Sequence, residues 1–229
     1  MTHLYRVTNR LPHNTETLDV DGFFMASGSE DAVEQMWEHM KFLNWSLDNV
    51  STVEVAQYTN LSAETEVVHR CLYSAIDYCT PQADRTLSAL IRSGAYLNYP
   101  SSVVSDLLTG ELPQSLDAFL DTIPPSQWDK RWLEQAVEWQ LLACVKVLVS
   151  HGFQDKSGKA LMYACLLTNS DIFNVLWGVS SAQQALEWGT KEGVSLPWVE
   201  ERLGAEQRAR IAQEVAAPAP TRQLPRKKL

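Results

Sequence analysis

The chain has 229 residues, of which 45% are apolar and 21% charged; these proportions are typical of folded proteins and argue against global disorder. No apolar run approaches the length of about 18 residues that a membrane-spanning helix needs. A net charge of −9 argues against a nucleic-acid reader, which usually carries a basic footprint.

The charge is unevenly distributed along the chain. Residues 218–229 hold four cations and no acid, so the remainder carries a net charge of −13. The end of the chain is rich in proline and alanine before it becomes basic, which predicts a disordered basic tail over residues 216–229. The acidic remainder suits a basic protein partner, attracted over a range that salt would shorten.

Residues 1–60 predict a small β-β-α-β domain. Strand patterns cover residues 4–8, 18–26 and 52–58. Between the second and third, Ser27 or Ser29 could cap a helix whose apolar residues recur at three- and four-residue spacing from Ala32 to Leu43.

A repeat begins after this domain. Its first half is a helix start with the pattern L-x-x-A, which recurs at residues 72–75, 133–136 and 161–164, and its second half is an apolar helix ending in a turn. Residues 87–94 match residues 145–152 at a distance of 58, or two units, and further second halves fall at residues 116–123, 172–177 and 198–204. Gly94 and Gly152 suit a left-handed helix end. The pattern predicts stacked helix pairs over residues 61–215, because a single pair cannot bury its own apolar faces.

The repeat resembles the ankyrin family over about 135 of the 229 residues. Residues 91–98, IRSGAYLN, are similar to the family's L-x-x-G-A-D-x-N ending, and residues 158–164, GKALMYA, resemble its G-x-T-P-L-H-x-A opening. The sequence departs from the family in lacking T-P-L-H, with Tyr73 and Met162 in the place of His, and in a unit of 27–31 residues rather than about 33. The resemblance implies an α+β protein in which an ankyrin-like helical stack offers a binding surface. An irregular helical bundle with coincidental spacing is the alternative.

No residue cluster predicts a catalytic, cofactor or metal site. The four cysteines lie in apolar helical stretches without zinc spacing, and we expect buried, reduced thiols. The five histidines show no metal-ligand spacing, and neither a phosphate-binding glycine loop nor an esterase nucleophile motif occurs.

Tryptophans and acids coincide between residues 106 and 139. Residues 106–138 hold seven acids against two cations, which predicts either a contact face for a basic partner or a merely solvated face. Trp132 and Trp139 are seven residues apart and predicted to share a helix face beside Ala136, where they either pack between repeats or form a binding hot spot. The predicted partner-binding residues are Asp117, Asp121, Asp129, Trp132, Glu134, Glu138 and Trp139.

These observations predict a cytoplasmic protein-interaction module that acts as an adaptor or inhibitor of a basic protein. By analogy, a phage or mobile-element product that blocks a host nucleic-acid-handling complex would suit this description. The alternative is an enzyme or nucleic-acid modifier whose site lies in residues 1–60, with the repeats as a targeting arm.

Overall fold

The computed structural model describes residues 3–13, 16–42, 52–58, 65–95, 97 and 99–216. The predicted tail beyond Ala216 and the predicted helix residue Leu43 lie outside these residues.

The N-terminal part forms a three-stranded antiparallel sheet and one helix. Strands β1 (His3–His13), β2 (Glu16–Ala26) and β3 (Thr52–Tyr58) are arranged in the order β2-β1-β3, and helix α1 (Ser29–Phe42) follows β2. The predicted β-β-α-β order is confirmed. The first two strands are longer than predicted, since their pairing extends from His3 opposite Ala26 to His13 opposite Glu16.

The sheet is covered on both faces because apolar residues occupy alternate positions along its strands. Tyr5 and Val7 of β1 pack in one cluster with Met36 of α1. The neighbouring residues Leu4 and Phe23 belong instead to the core of the helices that follow. The sheet therefore packs between α1 and the first helix pair, with β2 contacting both helices of that pair.

Within the described residues, the rest of the chain forms five helix pairs. They are α2 (Thr65–Tyr78) with α3 (Pro81–Arg92), α4 (Pro100–Thr109) with α5 (Pro113–Thr122), α6 (Arg131–Glu138) with α7 (Leu142–Ser150), α8 (Lys159–Leu166) with α9 (Ser170–Leu176), and α10 (Ala182–Glu192) with α11 (Pro197–Ala216). The first helices α2, α4, α6, α8 and α10 contact one another in that order, as do the second helices α3, α5, α7 and α9. The fold is thus a small sheet followed by stacked helix pairs in two layers.

The L-x-x-A pattern marks the contacts between first helices. Ala75, Ala136 and Ala164 are all at most 1% exposed. The second pair lacks the motif and buries Val104 and Leu107 of α4 instead. Small side chains let neighbouring helices approach closely, which is why this position keeps alanine in three of the pairs.

All five pairs turn between their helices through a residue in the left-handed conformation. These residues are Cys79, Glu111, Gln140, Thr168 and Gly193. In the third pair, the amide of Leu141 donates to the carbonyl of Ala136 at 2.9 Å, which closes a Schellman-type helix end. The predicted left-handed ends at Gly94 and Gly152 are confirmed, with φ of 89° and 94°.

Two features differ from the expectations. Helix α10 was not predicted, because its buried residues are only Ala185 and Gly189, too small to produce an apolar period. Cys79 was expected to be buried and is exposed, since it lies in the turn after α2, whereas Cys71, Cys144 and Cys165 are buried and free as predicted.

Candidate protein-interaction surface

A groove of about 510 Å³ runs between α4 and α6 on the layer of first helices. It is lined by Ser101, Ser105, Asp129, Arg131, Trp132, Glu134, Gln135, Glu138 and Trp139. Five of the seven predicted partner-binding residues are therefore gathered on one surface.

The amphipathic pattern of α6 places its polar side chains in this groove. Leu133, Ala136 and Val137 are buried, so Glu134 and Gln135 between them and Glu138 after them lie on the outer side of the helix. The Gln135 side-chain amide donates to the Ser105 hydroxyl at 3.2 Å, which joins α6 to α4 across the floor of the groove.

Trp132 and Trp139 have different environments despite their seven-residue spacing. Trp132 is 3% exposed and its ring centroid lies 6.1 Å from that of Phe153, so it belongs to the core of the stack. The structure therefore favours the packing alternative for Trp132, because so little of its surface is accessible. Trp139 is 45% exposed because α6 ends at Glu138, which releases Trp139 from the buried face.

The charge of Asp129 is neutralised within the chain. The Arg131 side chain donates to both carboxylate oxygens of Asp129, with the shortest distance at 2.7 Å. These hydrogen bonds lower the pKa of Asp129. The negative charge available to a partner in the groove therefore comes from Glu134 and Glu138.

Tyr163 of α8 extends the same surface and was not among the predicted residues. Burial raises the pKa of its hydroxyl, followed by the charge of Glu138, a hydrogen bond to that carboxylate, and the charges of Glu134 and Glu192. Negative potential thus reaches from α6 to α8. The repeat could have identified Tyr163, because it occupies the same place in L-x-x-A as Gln135. The acidic groove is defined here as the surface of Ser105, Glu134, Gln135, Glu138, Trp139 and Tyr163.

Asp117 and Asp121 do not join the acidic groove, since they lie on α5, in the layer of second helices. Asp117 accepts a hydrogen bond from Arg92 at 2.9 Å, and its other oxygen lies 2.9 Å from Nε2 of His151. Asp121 is more exposed and lies 3.9 Å from Nδ1 of the same histidine. The structure therefore divides the predicted set between two layers of the stack.

In the part of the chain that the structure describes, no group of three or more His, Cys, Asp and Glu side chains could hold a metal ion. None of the described helices combines the length and apolar character needed to cross a bilayer. Comparison with known protein families, curated proteins and solved structures finds no match for this chain.

Proposed function

We propose that the protein is an interaction module that binds a basic segment of a protein partner in the acidic groove. The observation that carries the proposal is an exposed tryptophan, Trp139, next to two carboxylates, Glu134 and Glu138, that form no ion pair within the described residues. A cationic partner would supply the missing counter-charge.

The two kinds of residue in the groove have separate roles in this proposal. Tryptophan is enriched at the centre of interfaces, because it supplies a large contact area that excludes water and slows dissociation. The carboxylates act over a longer distance and raise the association rate with a positively charged surface. The neutral side chains of the groove, Ser105 and Gln135, offer hydrogen bonds without adding charge.

Such a module acts as an adaptor if the bound segment has no other ligand. It acts as an inhibitor if the segment normally binds another acidic ligand, because the groove then competes for it. Basic protein surfaces that handle nucleic acid contact phosphates, and an acidic groove would compete for the same cations. A phage or mobile-element product directed against a host nucleic-acid-handling complex fits the inhibitor form of the proposal.

The proposal is tested by reversing charge inside and outside the groove. Immobilised wild type captures a partner from a lysate of the source organism, and its binding is compared with that of the double variant Glu134→Lys/Glu138→Lys. The matched control, Glu187→Lys/Glu201→Lys, changes the net charge equally at two exposed positions on other helices. We expect the groove variant to lose the partner and the control to retain it.

Binding kinetics with the captured partner then separate the two roles. Trp139→Ala should mainly speed dissociation, whereas the charge reversal should slow association by a factor that shrinks as salt rises. Equal binding by wild type and the groove variant at low salt would overturn the proposal.

A further inference from the structure

A second pocket, of about 210 Å³, lies at the edge of the stack between the loops α5–α6 and α7–α8. It is lined by Pro125, Trp128, Lys130, Gly152, Phe153, Gln154 and Lys156. Two cations and no acid are among these residues, in contrast to the acidic groove. We refer to it as the lysine pocket.

The floor of the lysine pocket is aromatic. Trp128 stacks on Phe153 with ring centroids 4.8 Å apart and planes 13° from parallel. Gly152, at φ 94°, ends α7 and directs the chain so that Phe153 turns inward, where it is 6% exposed. The volume is below the roughly 300–1,000 Å³ of small-molecule sites, and therefore suits one apolar side chain.

The two lysines are available to a ligand. Within the described residues, neither Lys130 nor Lys156 makes a hydrogen bond or an ion pair, and both are exposed. Nearby cations are engaged elsewhere: Arg131 pairs with Asp129, Arg92 pairs with Asp117, and Lys159 lies 4.6 Å from the Trp188 ring centroid. Gln154, also exposed, adds a side-chain amide donor at the rim of the pocket.

We propose that the lysine pocket binds an acidic residue and its apolar neighbour from a protein segment. The carboxylate pairs with Lys130 and Lys156, and the apolar side chain packs on Trp128, which the buried Phe153 ring supports from below. A nucleic acid is disfavoured, because the net charge of −13 outside the basic end of the chain repels a polyanion more strongly than a single carboxylate.

The lysine pocket adjoins the acidic groove, because Lys130 and Lys156 line a neighbouring cavity together with Glu134. One partner could therefore contact both sites with segments of opposite charge. A surface with adjacent acidic and basic sites discriminates against uniformly basic partners, because the lysines repel them. This repulsion adds specificity. The assignment of the pocket does not depend on the proposed function of the groove.

The test uses the full chain and a short probe, the blocked dipeptide N-acetyl-leucyl-glutamate amide, followed by two-dimensional NMR. We expect saturable shifts of the Trp128 indole signal and of the Gly152 and Phe153 amides. The neutral probe N-acetyl-leucyl-glutamine amide should bind more weakly. Lys130→Ala and Lys156→Ala should each weaken binding of the acidic probe roughly two- to five-fold, whereas Lys146→Ala, at an exposed position on α7, should not.

Three results would overturn the assignment: no shifts in this pocket, equal binding of the two dipeptides, or inorganic phosphate binding as tightly as the acidic dipeptide. The last would indicate a simple anion site without an apolar contact. The groove variant Trp139→Ala, which changes no charge and lies outside the cavities that Lys130 and Lys156 line, is expected to bind the dipeptide as wild type does, so failure of either proposal leaves the other testable.

Discussion

Gly158 is a residue that the stack cannot readily replace. It begins α8 with φ of 74°, and a Cβ atom at this position would collide with the backbone nitrogen of Ala185 and lie 2.7 Å from the carbonyl oxygen of Ser181. We expect Gly158→Ala to lower the free energy of unfolding by about 3 kcal/mol or more, since backbone atoms of α10 must move. Urea denaturation measures the loss. Gly178→Ala is the control, because no atom lies within 4 Å of its added Cβ, and similar midpoints for both variants would contradict the contact between α8 and α10.

Tyr163 reports the charge of the acidic groove. Glu138 raises the pKa of this hydroxyl for two reasons. Its negative charge repels the phenolate, and its carboxylate is a hydrogen-bond acceptor for the protonated hydroxyl. Glu138→Gln should therefore lower the pKa of Tyr163, while the contribution from burial persists. NMR titration of ring-labelled tyrosine measures the change, with Tyr163→Phe to assign the signal and Glu201→Gln as control. An unchanged pKa in Glu138→Gln would show that the two side chains are apart in solution.

The turns inside the first four helix pairs place a non-glycine residue in the left-handed region and therefore store backbone strain. Thr168 joins α8 to α9 at φ 52°, a conformation that β-branched residues rarely adopt and that costs L-residues about 1–2 kcal/mol. Thr168→Gly should raise the free energy of unfolding by up to about 1 kcal/mol, after the loss of chain entropy that glycine brings. Thr190→Gly, inside α10, should have the opposite sign because glycine is a poor helix former. Thermal melts compare the two; destabilisation by Thr168→Gly would contradict this conformation of the turn.

The elements that could be predicted are those with a strong apolar period. Helices α5 to α8 bury leucine, valine and phenylalanine at three- and four-residue spacing, which makes them visible in the sequence. The turns were not visible, because Glu111, Gln140 and Thr168 adopt a conformation that usually indicates glycine. For the same reason Trp139 was predicted to share a helix face with Trp132, since nothing in the nearby sequence indicated that α6 ends at Glu138.

In the molecule as a whole, the layered stack explains why the predicted partner-binding residues are divided between two surfaces. Successive segments of residues 106–138 alternate between layers, with α4 and α6 among the first helices and α5 among the second. Charge density along the chain cannot distinguish these layers, so Asp117 and Glu134 looked equivalent in sequence although they lie on different surfaces. The N-terminal sheet was predicted from its strand patterns. Its packing against α2 and α3 was not predicted, because only the fold shows that Leu4 and Phe23 belong to the core of the helical stack.

The stack also predicts how damage at one helix spreads. Ala136 is fully buried on α6, which contacts α4, α7 and α8, so Ala136→Glu places an unpaired carboxylate among three helices. Such burial costs several kcal/mol, a large part of the stability of a typical domain. We expect circular dichroism in urea to show a much lower midpoint, with helix content lost beyond α6 because each pair depends on its neighbours for a buried face. Ala209→Glu, at an exposed position on α11, should melt as wild type. If both variants unfold at the same urea concentration, Ala136 does not lie between the helices, and the register that also places Glu134 and Glu138 in the acidic groove is wrong.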